Sequence, residues 1–301
     1  MEDTVKVDPL MEFISTADAI IVDLRGNGGG NGPVGTWLSS YFLPTNIPLT
    51  SVYERRKDHT DAYFTIPVKG KQRLDVPLYI LTNSRTFSAA EGFTYDLQAR
   101  KRVTVIGEVT GGGAHPVNFM RLPKDFALVV PIARSINPIT KTNWEGVGVQ
   151  PDVKVASEIA LDTALVLAKQ GAKKYREAPF NELEGLLKKE KHSSADQNRV
   201  LNLLQTLLER GHIENFMVNG LGYDFQEGGY SAGALSLMKS STQLFPKSPN
   251  VHDSYAEILA KQGFKEEALI HYQKAVMLAT EQKDRDLAEY EKNLNDFKSK
   301  K

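Results

Sequence analysis

Three segments of the chain carry residues whose types and spacing could support hydrolytic chemistry. In the first, Ser88 stands where an apolar run gives way to the helix-like stretch 89–99. The free N–H groups and the positive dipole of a helix N-terminus stabilise nearby negative charge. Ser88 is therefore a candidate nucleophile, and the N–H of Ala89 is a candidate oxyanion donor. Because serine and threonine are also common N-caps, a purely capping role for Ser88 or Thr86 is the alternative, although Thr86 forms no capping box with Ala89.

The second segment, residues 23–32, is named here the first glycine segment, and it follows an apolar run of strand length. Its glycine spacing does not fit a dinucleotide fingerprint, and no Gly-Lys-Ser/Thr of a phosphate loop occurs in the chain. Its backbone N–H groups are unhindered, so Gly29 or Gly30 is a candidate for a second oxyanion donor. A plain glycine-rich turn is the alternative interpretation.

The third segment, residues 107–116, is named the second glycine segment, and it places three consecutive glycines before His115. Glycines let a backbone approach a ligand or another loop closely. His115 is a candidate proton acceptor, and an ordinary polar loop residue is the alternative. The residues 229–233 match G-x-S-x-G, but no strand precedes them, so this motif is assigned no catalytic role.

Composition excludes several other classes of function. The 301 residues are 41% hydrophobic, which is enough for a sizeable core in about two domains. Lys+Arg and Asp+Glu are both 37, and this charge balance argues against a nucleic-acid binder. The absence of cysteine excludes disulfides, thiolate nucleophiles and Cys-ligated metals. No apolar run reaches the roughly twenty residues that span a bilayer, and the acidic first residues give no signal peptide.

The elements that must position these segments are predicted to be short strands around one helix. Apolar runs of strand length occur at 19–24, 77–82, 103–106 and 128–132. Because they are apolar throughout, they are expected to be buried on both faces. The helix-like stretch between the second and third runs predicts a βαβ unit, and hence an α/β first domain.

The remainder of the chain is predicted to be helical, with helices over 159–169, 183–191 and 198–209. Its last third contains an internal repeat, because aligning Gly229 with Gly263 at an offset of 34 places large residues opposite large and small opposite small. A period of 34 residues is typical of the paired antiparallel helices of tetratricopeptide (TPR) repeats.

The repeat predicts four helices over residues 215–280. We expect the turns within each pair at 228–229 and 262–263, followed by a terminal capping helix.

Four motifs, taken in chain order, resemble those of the tail-specific protease family of serine peptidases. They are DLRGNGGG at 23–30, TFSAAE at 86–91, GEVTG at 107–111 and GVGVQPD at 146–152. The resemblance covers about residues 18–168. It implies a crotonase/ClpP-like core of parallel strands and helices, a peptide or unfolded protein as substrate, and no cofactor.

The resemblance implies Ser88 as the nucleophile and the N–H groups of Ala89 and of Gly29 or Gly30 as the oxyanion hole. One branch of the family pairs its serine with a lysine about where Gly113 stands, and glycine cannot act as a base.

The chain is closer to the branch of interphotoreceptor retinoid-binding protein and the tricorn core. In that branch the base is a histidine, and a glutamate that aligns with Glu145 assists through a second serine. The family histidine comes from a segment well before the first glycine segment, so the chain is expected to lack an N-terminal subdomain. His115 is the only histidine inside a matched motif.

The sequence therefore predicts a peptidase core over residues 1–170, a helical linker over 171–214, and TPR repeats with a capping helix over 215–301. The predicted function is a serine-type peptidase acting through Ser88, with a TPR groove for a protein partner. The first alternative is a catalytically inactive peptide- or ligand-binding protein of the same fold. The second is that the TPR part is the working module. The sequence leaves the compartment open, although family relatives are often periplasmic or extracytoplasmic.

Overall fold

A computed structural model describes residues 4–30, 32–123 and 126–299 of the chain. The acidic residues 1–3 and Asn31 of the first glycine segment lie outside the described residues. The chain forms two compact units, which divide between Tyr175 and Arg176. Among the described residues, none of the helices combines the length and apolar character needed to cross a membrane.

The first unit contains all the strands of the described chain. They are β1 (Ile20–Asp23), β2 (Ser51–Glu54), β3 (His59–Asp61), β4 (Leu78–Thr82), β5 (Thr104–Gly107), β6 (Val117–Arg121), β7 (Ala127–Pro131), β8 (Ala133–Ile136) and β9 (Val153–Lys154). Its helices are α1 (Thr4–Phe13), α2 (Gly32–Phe42), α3 (Ala89–Ala99) and the start of α4 (Ala160–Leu187).

A four-stranded parallel sheet in the order β1-β4-β5-β9 organises this unit. Its central strand β4 is buried throughout because both faces are covered. Ile80 packs in a core with residues of α1, α2 and α3, whereas Leu81 on the opposite face packs against alanines of α4. The predicted βαβ unit is confirmed as β4, α3 and β5, and α3 has the predicted bounds.

The predicted burial of the run 128–132 on both faces is wrong. Strand β7 does not join the parallel sheet but pairs with β6 in a two-stranded antiparallel hairpin. Leu128 and Val129 are 49% and 50% exposed. The run is apolar without being buried, because a two-stranded hairpin offers no second layer of its own to cover either face.

The second unit is helical. Its elements are the end of α4, α5 (Ser194–Glu209), α6 (Asn215–Glu227), α7 (Ser231–Leu244), α8 (Pro249–Lys261), α9 (Lys265–Gln282) and α10 (Leu287–Ser299). The two separate helices predicted over 159–169 and 183–191 are in fact joined within α4, which continues through Pro179 and ends at Leu187. Seven of the thirteen intervening residues, 170–182, are Ala, Lys, Glu or Arg, and these strong helix formers outweigh the breakers Gly171 and Pro179.

The four helices expected over 215–280 are present as α6 to α9, and the turns lie at the predicted glycines. Helices α6 and α7, and likewise α8 and α9, are in extensive contact with each other. Gly229 and Gly263 both have a positive φ, of 84° and 85°, so the two turns share a backbone shape that favours glycine. Ser231 begins α7 after one of these turns, not after a strand.

Replacing Ala268 by leucine should destabilise the second unit by about 1–3 kcal/mol. Ala268 is fully buried at the crossing of α8 and α9, so three added carbons would force neighbouring side chains to move. Urea unfolding followed by far-UV circular dichroism measures the change. The control is Ile270→Leu on the exposed face of the same helix, which should stay within about 0.5 kcal/mol. Equal stability of the two variants would contradict close packing at residue 268.

Candidate active site

Ser88 lies on the turn that joins β4 to α3 and is the N-cap of α3. Its φ of 54° and ψ of −119° lie where non-glycine residues are uncommon, and strain of this kind clusters at functional turns. The Ser88 N–H donates to Glu91 Oε2 at 2.7 Å, and the Ser88 carbonyl accepts from Gly92 N at 2.9 Å. Both backbone groups are thus held, and the hydroxyl stands at the start of α3, where the helix dipole favours negative charge.

The residues just before Ser88 bind both glycine segments. Thr86 Oγ1 donates to the Leu24 carbonyl at 2.8 Å at the start of the first glycine segment. The Gly111 N–H of the second glycine segment donates to the Thr86 carbonyl at 3.0 Å. The three predicted segments therefore meet at one place, because β1, β4 and β5 are parallel neighbours whose carboxyl ends share an edge of the sheet.

The first glycine segment lies directly against Ser88. A Cβ on Gly29 would lie 2.7 Å from Ser88 Cβ and 2.8 Å from Ala89 N, and the φ of Gly29 is +88°. Only glycine fits there. The Gly29 N–H donates to Asn27 Oδ1 at 2.9 Å. Gly30 has a φ of +132° and lines the same cavity as Ser88 and Ala89.

A buried carboxylate that the sequence analysis did not assign, Glu91, fixes the backbone around Ser88. Glu91 is 0% exposed. Its Oε1 accepts a hydrogen bond from Thr110 Oγ1 and a second one, at 2.7 Å, from Gly112 N. Its Oε2 accepts from Ser88 N at 2.7 Å and from Gly113 N at 2.9 Å. One side chain thus joins the N-cap of α3 to the second glycine segment.

The sequence does contain a signal for Glu91. Ser88 is followed three residues later by glutamate, which is the spacing of a capping box. With Thr86 as the cap the pattern is absent, and the structure places the cap two residues later, at Ser88.

Gly113, where one branch of the family has a lysine, stands against an aromatic ring. A Cβ on Gly113 would overlap the Phe87 ring, whose Cζ, Cε1 and Cε2 atoms are the nearest neighbours of that position. Phe87 itself is 43% exposed. The space that a side chain at residue 113 would need is therefore filled by the residue next to Ser88.

The other two predicted residues, His115 and Glu145, are neighbours. Glu145 Oε2 accepts from Ala114 N at 2.7 Å and from His115 N at 2.9 Å, and it lies 3.8 Å from His115 Nδ1. Glu145 thus binds the backbone of the second glycine segment as well as facing the imidazole. Within the described residues, no hydrogen bond joins His115 to the Ser88 hydroxyl.

A cavity of about 370 Å³ brings most of the predicted residues together. Its lining includes Gly30, Ser88, Ala89 and His115 but not Glu145. Trp144 also lines it and is 3% exposed, and its Nε1 atom has no hydrogen-bond partner among the described residues. The cavity therefore places a strained serine, a histidine and a free buried donor around one space.

Comparison with known proteins agrees with the four motifs. Residues 6–155, about half of the chain, match the model of Peptidase family S41. The carboxyl-terminal-processing protease of Synechocystis sp. is 32% identical over 136 residues, which are 45% of this chain and 30% of that protein. The tail-specific protease of Haemophilus influenzae is 36% identical over 99 residues, 32% of this chain and 13% of that protein. The chain thus spans about a third or less of the length of the curated relatives it matches.

Among solved structures, the chain is similar to the photosystem II D1 C-terminal processing protease. It has a TM-score of 0.43 and 25% identity, over 52% of this chain and 40% of that chain. Mature CPAF has a TM-score of 0.48 and 14% identity, and the match covers 57% of this chain and 47% of CPAF. The sequence match carries the assignment, and it confirms the resemblance seen in the motifs: through residues 6–155, this chain belongs to peptidase family S41.

Proposed function

We propose that the first unit is a serine-type peptidase domain that cleaves peptide bonds through Ser88. The observation that carries the proposal is the position of Ser88, in a strained N-cap conformation that faces a cavity shared with His115. A hydroxyl at a helix N-terminus beside a glycine segment has the surroundings that stabilise a tetrahedral oxyanion.

In this mechanism Ser88 Oγ attacks the carbonyl carbon of the scissile bond and its proton passes to a base. The N–H groups of Ala89 and Gly30 bind the oxyanion. Gly30 is the preferred one of the two predicted glycines, because the Gly29 N–H already donates to Asn27. The proton then goes to the leaving amine, and water hydrolyses the acyl-enzyme to release the carboxylate product and restore Ser88.

His115 is the proposed base, and Glu145 is a positioning residue for it. A serine hydroxyl is a weak nucleophile until a base removes its proton. The Glu145 carboxylate, whose Oε2 lies 3.8 Å from His115 Nδ1, would orient the imidazole. Because general-base catalysis contributes about 10²–10⁴-fold, and no hydrogen bond joins His115 to Ser88 among the described residues, we expect weak peptide hydrolysis by the chain alone.

A fluorophosphonate probe should label the chain at Ser88. The probe reacts with a serine only where an oxyanion hole and a lowered barrier to attack exist, so Ser88→Ala should abolish labelling. Mass spectrometry of the labelled peptide, together with labelling rates, measures this.

Two glycine variants provide the matched controls. Gly29→Ala should slow labelling by about tenfold or more, because its Cβ would collide with Ser88 and Ala89. Gly28→Ala meets no atom within 4 Å and should label like the parent chain. Absence of labelling in the parent chain would contradict the peptidase proposal.

A catalytically inactive peptide- or ligand-binding protein of the same fold is the second candidate. Two observations favour it: Phe87 fills the space beside Gly113, and Ser88 lacks a hydrogen bond to His115 among the described residues. This candidate predicts that no probe reacts, while a peptide still binds in the cavity with the same affinity in Ser88→Ala.

We further propose that the helices α6 to α10 form a TPR-type module for protein interaction. In this proposal residues 1–170 are the peptidase core, 171–214 a helical linker and 215–301 the repeats with α10 as the cap. The support is the 34-residue equivalence, which relates the tightly packed Gly222 to the fully buried Ala256.

A further inference from the structure

A cavity in the second unit has a volume of about 730 Å³ and is lined by residues of α6, α8, α9 and α10. This volume is in the range of sites that bind sizeable ligands or side chains. The cavity is formed wholly within the second unit, so its chemistry is independent of Ser88.

Its lining is strongly acidic. Five carboxylate side chains line it, against two lysines, Lys261 and Lys265. The carboxylates are Asp253, Glu257, Asp286, Glu289 and Asp296. The negative charge affects a tyrosine of the lining. Burial, together with the charges of Asp284, Asp286 and Asp253, raises the pKa of Tyr290 to about 12. A cation is therefore the favoured occupant.

Two buried acceptors of this cavity have no hydrogen-bond partner among the described residues. Asn219 is 7% exposed and Asp253 is 9% exposed, and the Oδ1 atom of each is unpaired. Their other side-chain atoms are engaged: Asn219 Nδ2 donates to Ser254 Oγ at 3.2 Å, and Asp253 Oδ2 accepts from Asn293 Nδ2 at 2.9 Å. A buried polar atom without a partner costs free energy, so two such acceptors point to donors supplied by a ligand.

These two residues occupy equivalent positions in the repeat, 34 residues apart on α6 and α8. The neighbouring pair Tyr223 and Glu257 has the same spacing. The unpaired acceptors thus recur once per helix pair. This periodic spacing suits an extended chain that passes across successive pairs and presents donors at intervals.

Aromatic side chains complete the lining: Tyr223, Tyr272, Tyr290 and Phe297. Aromatic faces attract cations, and Lys261 Nζ already lies 5.6 Å from the centre of the Tyr223 ring. A guanidinium is planar, weakly hydrated and carries five N–H donors, so it can stack on such rings and pair with buried acceptors at once.

We infer that this cavity binds an extended peptide segment carrying arginine side chains. The inference rests on the proposed interaction role of the second unit and specifies its partner. At least one guanidinium enters the cavity and donates to Asp253 Oδ1 and Asn219 Oδ1. Glu289 and Asp296 supply the surrounding negative charge, because Glu257 already pairs with Lys261 at 2.8 Å.

Fluorescence anisotropy of a labelled unstructured peptide containing arginine, glycine and serine tests the inference. The full chain is used with Ser88→Ala, so that cleavage cannot consume the probe. The peptide should bind at least about tenfold more tightly than a matched peptide with glutamate in place of arginine. Raising the ionic strength from about 0.05 to 0.5 M should weaken the binding, because the partly exposed charges become screened.

Variants distinguish binding in the cavity from non-specific attraction to the negative charge of the protein surface. Asp253→Asn should weaken binding by about tenfold or more, since it removes a charge-assisted hydrogen bond from a buried site. Glu289→Gln, at an exposed position, should weaken it about two- to threefold without risk to folding. Glu281→Gln, an exposed carboxylate of α9 outside the lining, should bind like the parent chain.

Equal affinity for the arginine and glutamate peptides would overturn the inference, as would equal losses in Glu281→Gln and Asp253→Asn. Tight binding of the glutamate peptide alone would leave the second unit an interaction module but refute its proposed partner. Labelling of Ser88 by fluorophosphonate is measured independently, so the peptidase proposal is tested separately from the peptide-binding inference.

Discussion

Replacing Glu91 by glutamine is expected to lower the free energy of unfolding of the first unit by about 3–5 kcal/mol. Each Glu91 oxygen accepts from two donors: Thr110 Oγ1 and Gly112 N on one, Ser88 N and Gly113 N on the other. A glutamine amide has only one oxygen. Whichever way it is turned, its NH2 group faces at least one backbone N–H, which can only donate, in a fully buried site.

Urea unfolding followed by tryptophan fluorescence measures this change, because both tryptophans, Trp37 and Trp144, lie in the first unit. Glu108→Gln is the matched control: its Oε1 accepts from Ser157 N at 3.1 Å, a hydrogen bond that glutamine retains, so a loss of at most about 1 kcal/mol is expected. The Glu91→Gln variant should also label more slowly with fluorophosphonate, because either orientation of the amide weakens the link between the N-cap of α3 and the second glycine segment. A loss no larger than that of Glu108→Gln would contradict the fourfold acceptor role of Glu91.

Replacing Asp253 by asparagine is expected to stabilise the second unit at pH 7 by up to about 3 kcal/mol, and to have little effect at pH 4. Burial raises the pKa of Asp253 from 3.8 to about 6, and the charges of Glu257 and Glu289 add to the rise. Below about pH 3 the carboxyl is protonated in the folded and the unfolded chain alike, and at pH 4 only a small part of the difference has developed. As the pH rises to about 6 the unfolded chain loses its proton first, so the folded state loses stability, and above that pH the loss is complete.

An asparagine side chain does not titrate, so the gain in free energy of unfolding of Asp253→Asn over the parent chain should develop between pH 4 and 6 and then remain constant. Urea unfolding of the second unit, followed by far-UV circular dichroism at several pH values, gives the profile. Asp296→Asn, an exposed carboxylate in the same cavity, is the control and should change stability by less than about 0.5 kcal/mol at either pH. A gain in Asp253→Asn that is equal at pH 4 and pH 7 would indicate packing and not charge.

The sequence could predict the parallel sheet because its strands are apolar on both faces and alternate with a helix. The run at 128–132 has the same apolar composition, and composition alone cannot distinguish a strand covered by helices from one exposed in a hairpin. Helix α4 was predicted as two helices, over 159–169 and 183–191, whereas the residues between them favour a helix strongly enough to continue through Gly171 and Pro179.

In the candidate site, the motifs locate Ser88 and both glycine segments, since each follows a strand of one parallel sheet. They do not reveal that Phe87 fills the space beside Gly113, because that contact joins residues 26 positions apart through the fold. The unpaired oxygens of Asn219 and Asp253 could likewise not be predicted from the sequence. The 34-residue offset marks the two positions as equivalent, but only the packing of α6, α8 and α10 determines which atoms remain without a partner.

The φ of 54° at Ser88 also restricts how this site can change over evolution. A β-branched residue is a rare outlier in the left-handed region, so threonine, the other hydroxyl nucleophile, is a poor substitute despite its similar chemistry. Glycine, which has no hydroxyl, would occupy the same conformation with less strain. A lineage that no longer used the hydroxyl would therefore gain folding stability by drifting to glycine at residue 88, whereas an exchange of one hydroxyl nucleophile for the other would have to pass through a less stable protein.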